Sequence, residues 1–92
     1  MKAITTKYVG PTNTRGARII ASDGDGNRVT VAYDYNMHND KAHSAAARAL
    51  CEKMGWHGVL IAGGTTTGYV YVWLPESVPF SAVAHCDYAL SV

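Results

Sequence analysis

The sequence predicts a small α+β domain: a mainly antiparallel sheet of about five strands in the order βββαββ, with one helix packed across it. Three observations predict it. Runs of β-branched and aromatic residues fill both ends of the chain. One alanine-rich segment in the middle has helical spacing instead. Short turns rich in Gly, Asn and Pro separate the runs, which suits hairpins.

The elements follow in order. Residues 2–9 read as a strand, with Ile4 and Tyr8 sharing one face around Thr6, and Thr5 and Lys7 on the other. Gly10-Pro11-Thr12-Asn13-Thr14 reads as a turn, because Pro cannot donate to a ladder and Asn tolerates positive φ. Residues 15–22 read as a second strand around Ala17-Arg18-Ile19-Ile20. Asp23-Gly24-Asp25-Gly26-Asn27 is the strongest turn signal. Residues 28–34 then alternate cleanly, Val29, Val31 and Tyr33 inward, Arg28, Thr30 and Asp34 outward.

From Asn39 to Met54 the apolar residues Ala42, Ala45, Ala46, Ala49 and Leu50 define a helix. Asn39 is the expected N-cap, Asp40 and Lys53 suit the two ends of the dipole, and Gly55 suits C′. Trp56 would then fold back near Cys51. Residues 58–62 read as a fourth strand, Gly63–Gly68 as a flexible hairpin loop, and residues 69–74 as a fifth strand ended by Pro75. In the tail, Phe80, Val83, Ala84 and Tyr88 stand at helical spacing, against Pro79 and the short length.

Composition narrows the function classes. At 92 residues, 48% hydrophobic and 16% charged, the chain reads as one domain, 1–92, with a core at 2–74 and an extension at 75–92. A net charge of +1 excludes both a strongly basic arm and a densely acidic DNA mimic. No apolar run reaches membrane-spanning length, and no signal-peptide apolar region opens the chain. Two cysteines do not make a disulfide scaffold. The expectation is a cytoplasmic protein without membrane association.

The charge is uneven. Residues 1–22 carry Lys2, Lys7, Arg15 and Arg18 and no acid, a net +4, whereas residues 55–92 carry Glu76 and Asp87 and no base. The basic end either attracts phosphate or an acidic partner, or simply solvates the outer face of two strands.

Candidate chemistry is sparse. The Asp-Gly-Asp-Gly-Asn run has oxygens at the first, third and fifth positions of a calcium loop, but Arg28 stands where the loop needs Gly. His38, His43, His57, His85, Cys51 and Cys86 show no zinc spacing. His43 and Cys51 are more than two helical turns apart, and His85-Cys86-Asp87 are sequence neighbours that do not face one another. No metal, cofactor or enzymatic activity is expected. The Gly63–Gly68 loop, with Thr65, Thr66 and Thr67, lacks the helix and Lys of a phosphate loop and reads as a hairpin tip for partner contact.

The fifth strand is apolar on both faces. Val70, Val72 and Leu74 are expected to meet the thin alanine face of the helix, leaving Tyr69, Tyr71 and Trp73 on the second face. There they would stack bases or form a protein interface, unless the tail from Phe80 to Tyr88 covers them.

Lys2-Ala3-Ile4-Thr5-Thr6-Lys7-Tyr8 and Gly10-Pro11-Thr12-Asn13-Thr14-Arg15-Gly16-Ala17-Arg18 resemble the opening of a family of small proteins of phages, prophages and plasmids. Ala46-Ala47-Arg48-Ala49-Leu50-Cys51-Glu52-Lys53-Met54-Gly55-Trp56 and Gly63-Gly64-Thr65 resemble its later part. The resemblance covers residues 2–73 and carries no activity, so no functional residue transfers. It implies a setting in a bacterial host cell, among accessory factors that include anti-CRISPR proteins.

Three readings follow. The first is a non-enzymatic binding protein that inhibits a host defence complex through protein–protein contacts. The second is a nucleic-acid-binding module, with Arg15, Arg18 and Arg28 on phosphates and Tyr71 and Trp73 on bases. The third is a self-associating module that forms a homodimer through the fifth strand or the tail.

Overall fold

Six strands and one helix make up the computed structural model, which describes residues 3–74 and 88–92. They are β1 (Ala3–Val9), β2 (Arg18–Ser22), β3 (Arg28–Ala32), α1 (Asn39–Met54), β4 (Val59–Gly64), β5 (Gly68–Trp73) and β6 (Tyr88–Ser91). The sheet order is β3-β2-β1-β5-β4-β6, and every pairing is antiparallel. The α+β architecture read from the sequence is therefore the observed one, with a sixth strand added. Among the described residues no helix is long and apolar enough to cross a membrane.

β1 is central. Thr5 stands opposite Ser22 of β2 and Val70 of β5, and Thr6 stands opposite Ala21 and Tyr69. Because side chains alternate, Ile4, Thr6 and Tyr8 face the helix, and Thr5 and Lys7 face away. Ile4, Ile19, Leu50 and Leu60 are all fully buried in the resulting core. Burying each such side chain contributes about 1.5–3 kcal/mol.

The turns form where the sequence places them. The Asp23 carboxylate accepts from the Asp25 and Asn27 backbone N–H groups at 2.8 and 3.3 Å and from the Asn27 side-chain amide at 2.8 Å. Gly24 and Gly26 supply the positive φ angles, 84° and 100°, that the turn requires. This carboxylate organises its own loop. In the preceding connection the Thr12 hydroxyl accepts from the Arg15 N–H at 3.1 Å. β2 accordingly begins at Arg18 rather than Arg15.

The helix has its expected span, with two differences. His38 is the N-cap, with extended backbone at φ −63° and ψ 151°, and Asn39 is already helical. The buried stripe is Ala42, His43, Ala46, Ala47, Leu50 and Cys51, whereas Ala45 is exposed. The exit is as read. Gly55 is left-handed at φ 71°, and the Trp56 N–H donates to the Cys51 carbonyl at 2.9 Å. The Lys53 ammonium donates to the Arg28 carbonyl at 3.0 Å, tying the helix end to β3.

β6 departs from the helical spacing of the tail. Leu90 lies opposite Leu60, and Tyr88 opposite Ala62, on the free edge of β4. Gly58 and Val92 extend the ladder by exchanging backbone bonds of 3.1 and 2.8 Å. The Tyr88 hydroxyl accepts from Ser44 at 2.8 Å and donates to the Asp40 carbonyl at 3.2 Å. The expected stop at Pro75 and the residues Phe80, Val83 and Ala84 lie outside the described residues.

Candidate functional site

The helix covers one face of the sheet, and strand register decides what the other face carries. Moving across it, Arg28 of β3 aligns with Ser22 of β2, Thr5 of β1 and Val70 of β5. The next row is Thr30, Ile20 and Lys7, and the next Ala32, Arg18 and Val9. Val72 and Ile61 continue the apolar strip toward β6. Lys7, Arg18 and Arg28 thus surround Ile20 on a single surface. Among the described residues, no Asp or Glu occupies a strand position there.

Two open grooves mark this face. Thr5, Lys7, Ile20, Ser22, Gly24 and Arg28 line one of about 430 Å³. Arg15, Gly16, Ala17, Arg18, Thr30 and Ala32 line another of about 320 Å³. The basic residues singled out in the sequence, Arg15, Arg18 and Arg28, are therefore brought to one side of the molecule. Lys7 joins them. Its outward position was legible from the alternation in β1, but its company depended on the register with β2.

The aromatic strand goes the other way. Tyr69, Tyr71 and Trp73 face the helix, and Val70 and Val72 face away, the reverse of the expected arrangement. Tyr71 is fully buried in the main core, and the Tyr69 ring meets the His43 ring edge-on at 5.3 Å. The physical reason is complementarity of size. Ala42, Ala46 and Ala47 leave depth between helix and sheet, and large rings fill it where valines would leave voids. Tyr88 completes this cluster, edge-on to Tyr69 at 5.5 Å and to Tyr71 at 6.0 Å. Trp73 packs edge-on against Trp56 at 5.7 Å and donates its indole N–H to the His57 carbonyl at 3.0 Å. A fully buried Tyr71 offers no face for a base, and it lies across the sheet from Arg18 and Arg28.

Thr65, Thr66 and Thr67 form the exposed tip of the β4–β5 hairpin. The tip is more ordered in its bonding than a flexible loop. The Thr65 N–H donates to the Gly68 carbonyl at 2.8 Å, and the Gly68 N–H returns to the Thr65 hydroxyl at 3.0 Å. The Tyr8 N–H holds the Thr67 carbonyl at 3.0 Å, anchoring the tip to β1.

The nucleophile and base candidates sit in structural roles. His43 is buried, its Nδ1 lies 2.8 Å from the Thr6 hydroxyl, and burial lowers its pKa. Cys51 is buried, and that burial raises its thiol pKa. Among the described residues no group of three or more His, Cys, Asp or Glu side chains could hold a metal ion. His85, Cys86 and Asp87 lie outside the described residues.

The chain matches no family model, no curated protein and no solved structure with which it was compared.

Proposed function

We propose that this chain is a non-enzymatic binding protein of a phage or mobile element. It acts by protein–protein contact as an inhibitor of a host defence complex, and it docks through the helix-free face of its sheet. The observation that carries this reading is the gathering of Lys7, Arg18 and Arg28 around Ile20 beside Val70 and Val72. An apolar centre ringed by like charges suits a protein surface of opposite charge. The partner is therefore an acidic protein surface. The phage setting rests on the resemblance of residues 2–73.

Phage plating tests it. A sensitive phage is plated on hosts carrying a panel of defence systems, with and without the protein. Plating should be restored on at least one defended strain and lost again with Arg18→Glu plus Arg28→Glu. Equal plating with and without the protein across the panel contradicts the inhibitor reading.

The same cations favour a second reading, nucleic-acid binding through Arg15, Arg18 and Arg28. With Tyr71 buried, that reading rests on phosphate contact. It requires binding that weakens steeply with salt. A gel shift that stays negative at low salt excludes it.

A further inference from the structure

The helix side of the molecule carries a second feature, remote from the cationic face. A cleft of about 400 Å³ opens between the β4–β5 hairpin tip, β1 and the start of α1. Its walls include Tyr8, Asn39, Thr65, Thr66, Thr67 and Tyr69. The volume is within the range of small-ligand sites, about 300–1,000 Å³.

The lining is neutral. Among the described residues, no Lys, Arg, Asp or Glu contributes to it. An anion would find no counter-charge here. The polar groups are hydroxyls and a carboxamide, which donate and accept in pairs. Partial desolvation, and then the Tyr35 hydroxyl, raise the Tyr8 pKa above its ordinary value.

Two rings, Tyr8 and Tyr69, line the cleft. Tyr33 meets the Tyr8 ring edge-on at 5.1 Å with the planes 88° apart, and Tyr35 meets Tyr33 at 75°. Rings set among hydroxyls suit a ligand with an apolar C–H face and a hydroxylated rim. Asn39 lines the cleft; its Oδ1 accepts from the Tyr33 hydroxyl at 3.5 Å, so its side-chain N–H groups are what remain to donate to that rim.

We infer that this cleft binds a neutral hydroxylated ring, a pyranose sugar, stacked on Tyr8 with its hydroxyls on Asn39 and the threonine tip. Binding is independent of the cationic face, so either can fail without the other.

The test is a titration of the full chain, followed by backbone-amide NMR. The probes are glucose, galactose, mannose and N-acetylglucosamine, each raised to about 50 mM, since a single-ring site is expected to bind in the millimolar range. At least one should produce saturable shifts confined to Tyr8, Asn39 and residues 65–69. Tyr8→Ala and Thr66→Val should each weaken it about 10-fold or abolish it. Thr66 is exposed at the hairpin tip, so its variant keeps the fold if Tyr8→Ala does not. No saturable shift with any of the four sugars overturns the inference. So does a response of the same amides to adenosine or uridine without one to the sugars.

Discussion

The His43 ring on α1 and the Thr6 hydroxyl on β1 meet at 2.8 Å, both fully or almost fully buried. Thr6 also accepts from the Tyr69 N–H at 3.2 Å, so one hydroxyl joins the helix to the two central strands. The contact is polar in an otherwise apolar layer, which makes its protonation state a stability term.

Burial lowers the His43 pKa from the ordinary 6.5, so folding favours the neutral ring. Below that ordinary value the unfolded chain binds the proton more readily than the folded one. The stability contributed is fully present above 6.5 and is lost as pH falls through the lowered folded value. Urea denaturation midpoints should drop across that window. His43→Asn should flatten the drop; an unchanged slope in that variant refutes the assignment.

Thr6→Val keeps the shape and removes the hydroxyl. It leaves the buried His43 Nδ1 without that partner, at a cost of about 1–3 kcal/mol. Equilibrium denaturation measures it.

Two glycines are required by close approach. A Cβ on Gly68 would lie 2.0 Å from the Thr6 carbonyl oxygen, so Gly68→Ala must open the β1–β5 ladder. Gly58 has φ 132°, and a Cβ there would lie 2.9 Å from Trp73 Cδ1. Gly58→Ala should cost about 1–3 kcal/mol. Gly16 has open space around its Cβ position, so Gly16→Ala should stay within about 0.5 kcal/mol of the parent. Thermal unfolding of the three variants gives the ranking.

Tyr88 ties β6 to the helix. The Tyr71 and Tyr88 hydroxyls hydrogen-bond one another, and burial, then that contact, raises the Tyr71 pKa far above its usual range. Tyr88→Phe removes the bonds to Ser44, Asp40 and Tyr71 and should cost about 1–2 kcal/mol. Hydrogen exchange should show faster amides on β6 before the rest of the sheet.

Much of this fold was legible in the chain. The helix came from alanine spacing and its Gly55 stop, and the Asp23–Asn27 hairpin from turn chemistry. The orientation of β5 was not legible, because a strand apolar on both faces has no alternation to say which side is inward. The alanines that suggested a thin helix face in fact made room for Tyr71. β6 depends on pairing with β4, a long-range relation that four residues cannot announce. The basic cluster was half legible: Arg15, Arg18 and Arg28 stood out by charge, and only register added Lys7.

Site-specific photo-crosslinking tests the proposed docking face most directly. A benzoylphenylalanine is placed at Thr30 or Thr5, both exposed on the helix-free face, and as a control at Ala45, exposed on the helix. Irradiation is done in a defended host strain chosen by the plating test. A covalent adduct with a subunit of that defence complex is expected from Thr30 or Thr5, absent from Ala45 and lost when Arg18→Glu is added. Adducts to that complex from Ala45 alone, or adducts at Thr30 and Thr5 to nucleic acid instead of protein, would contradict it.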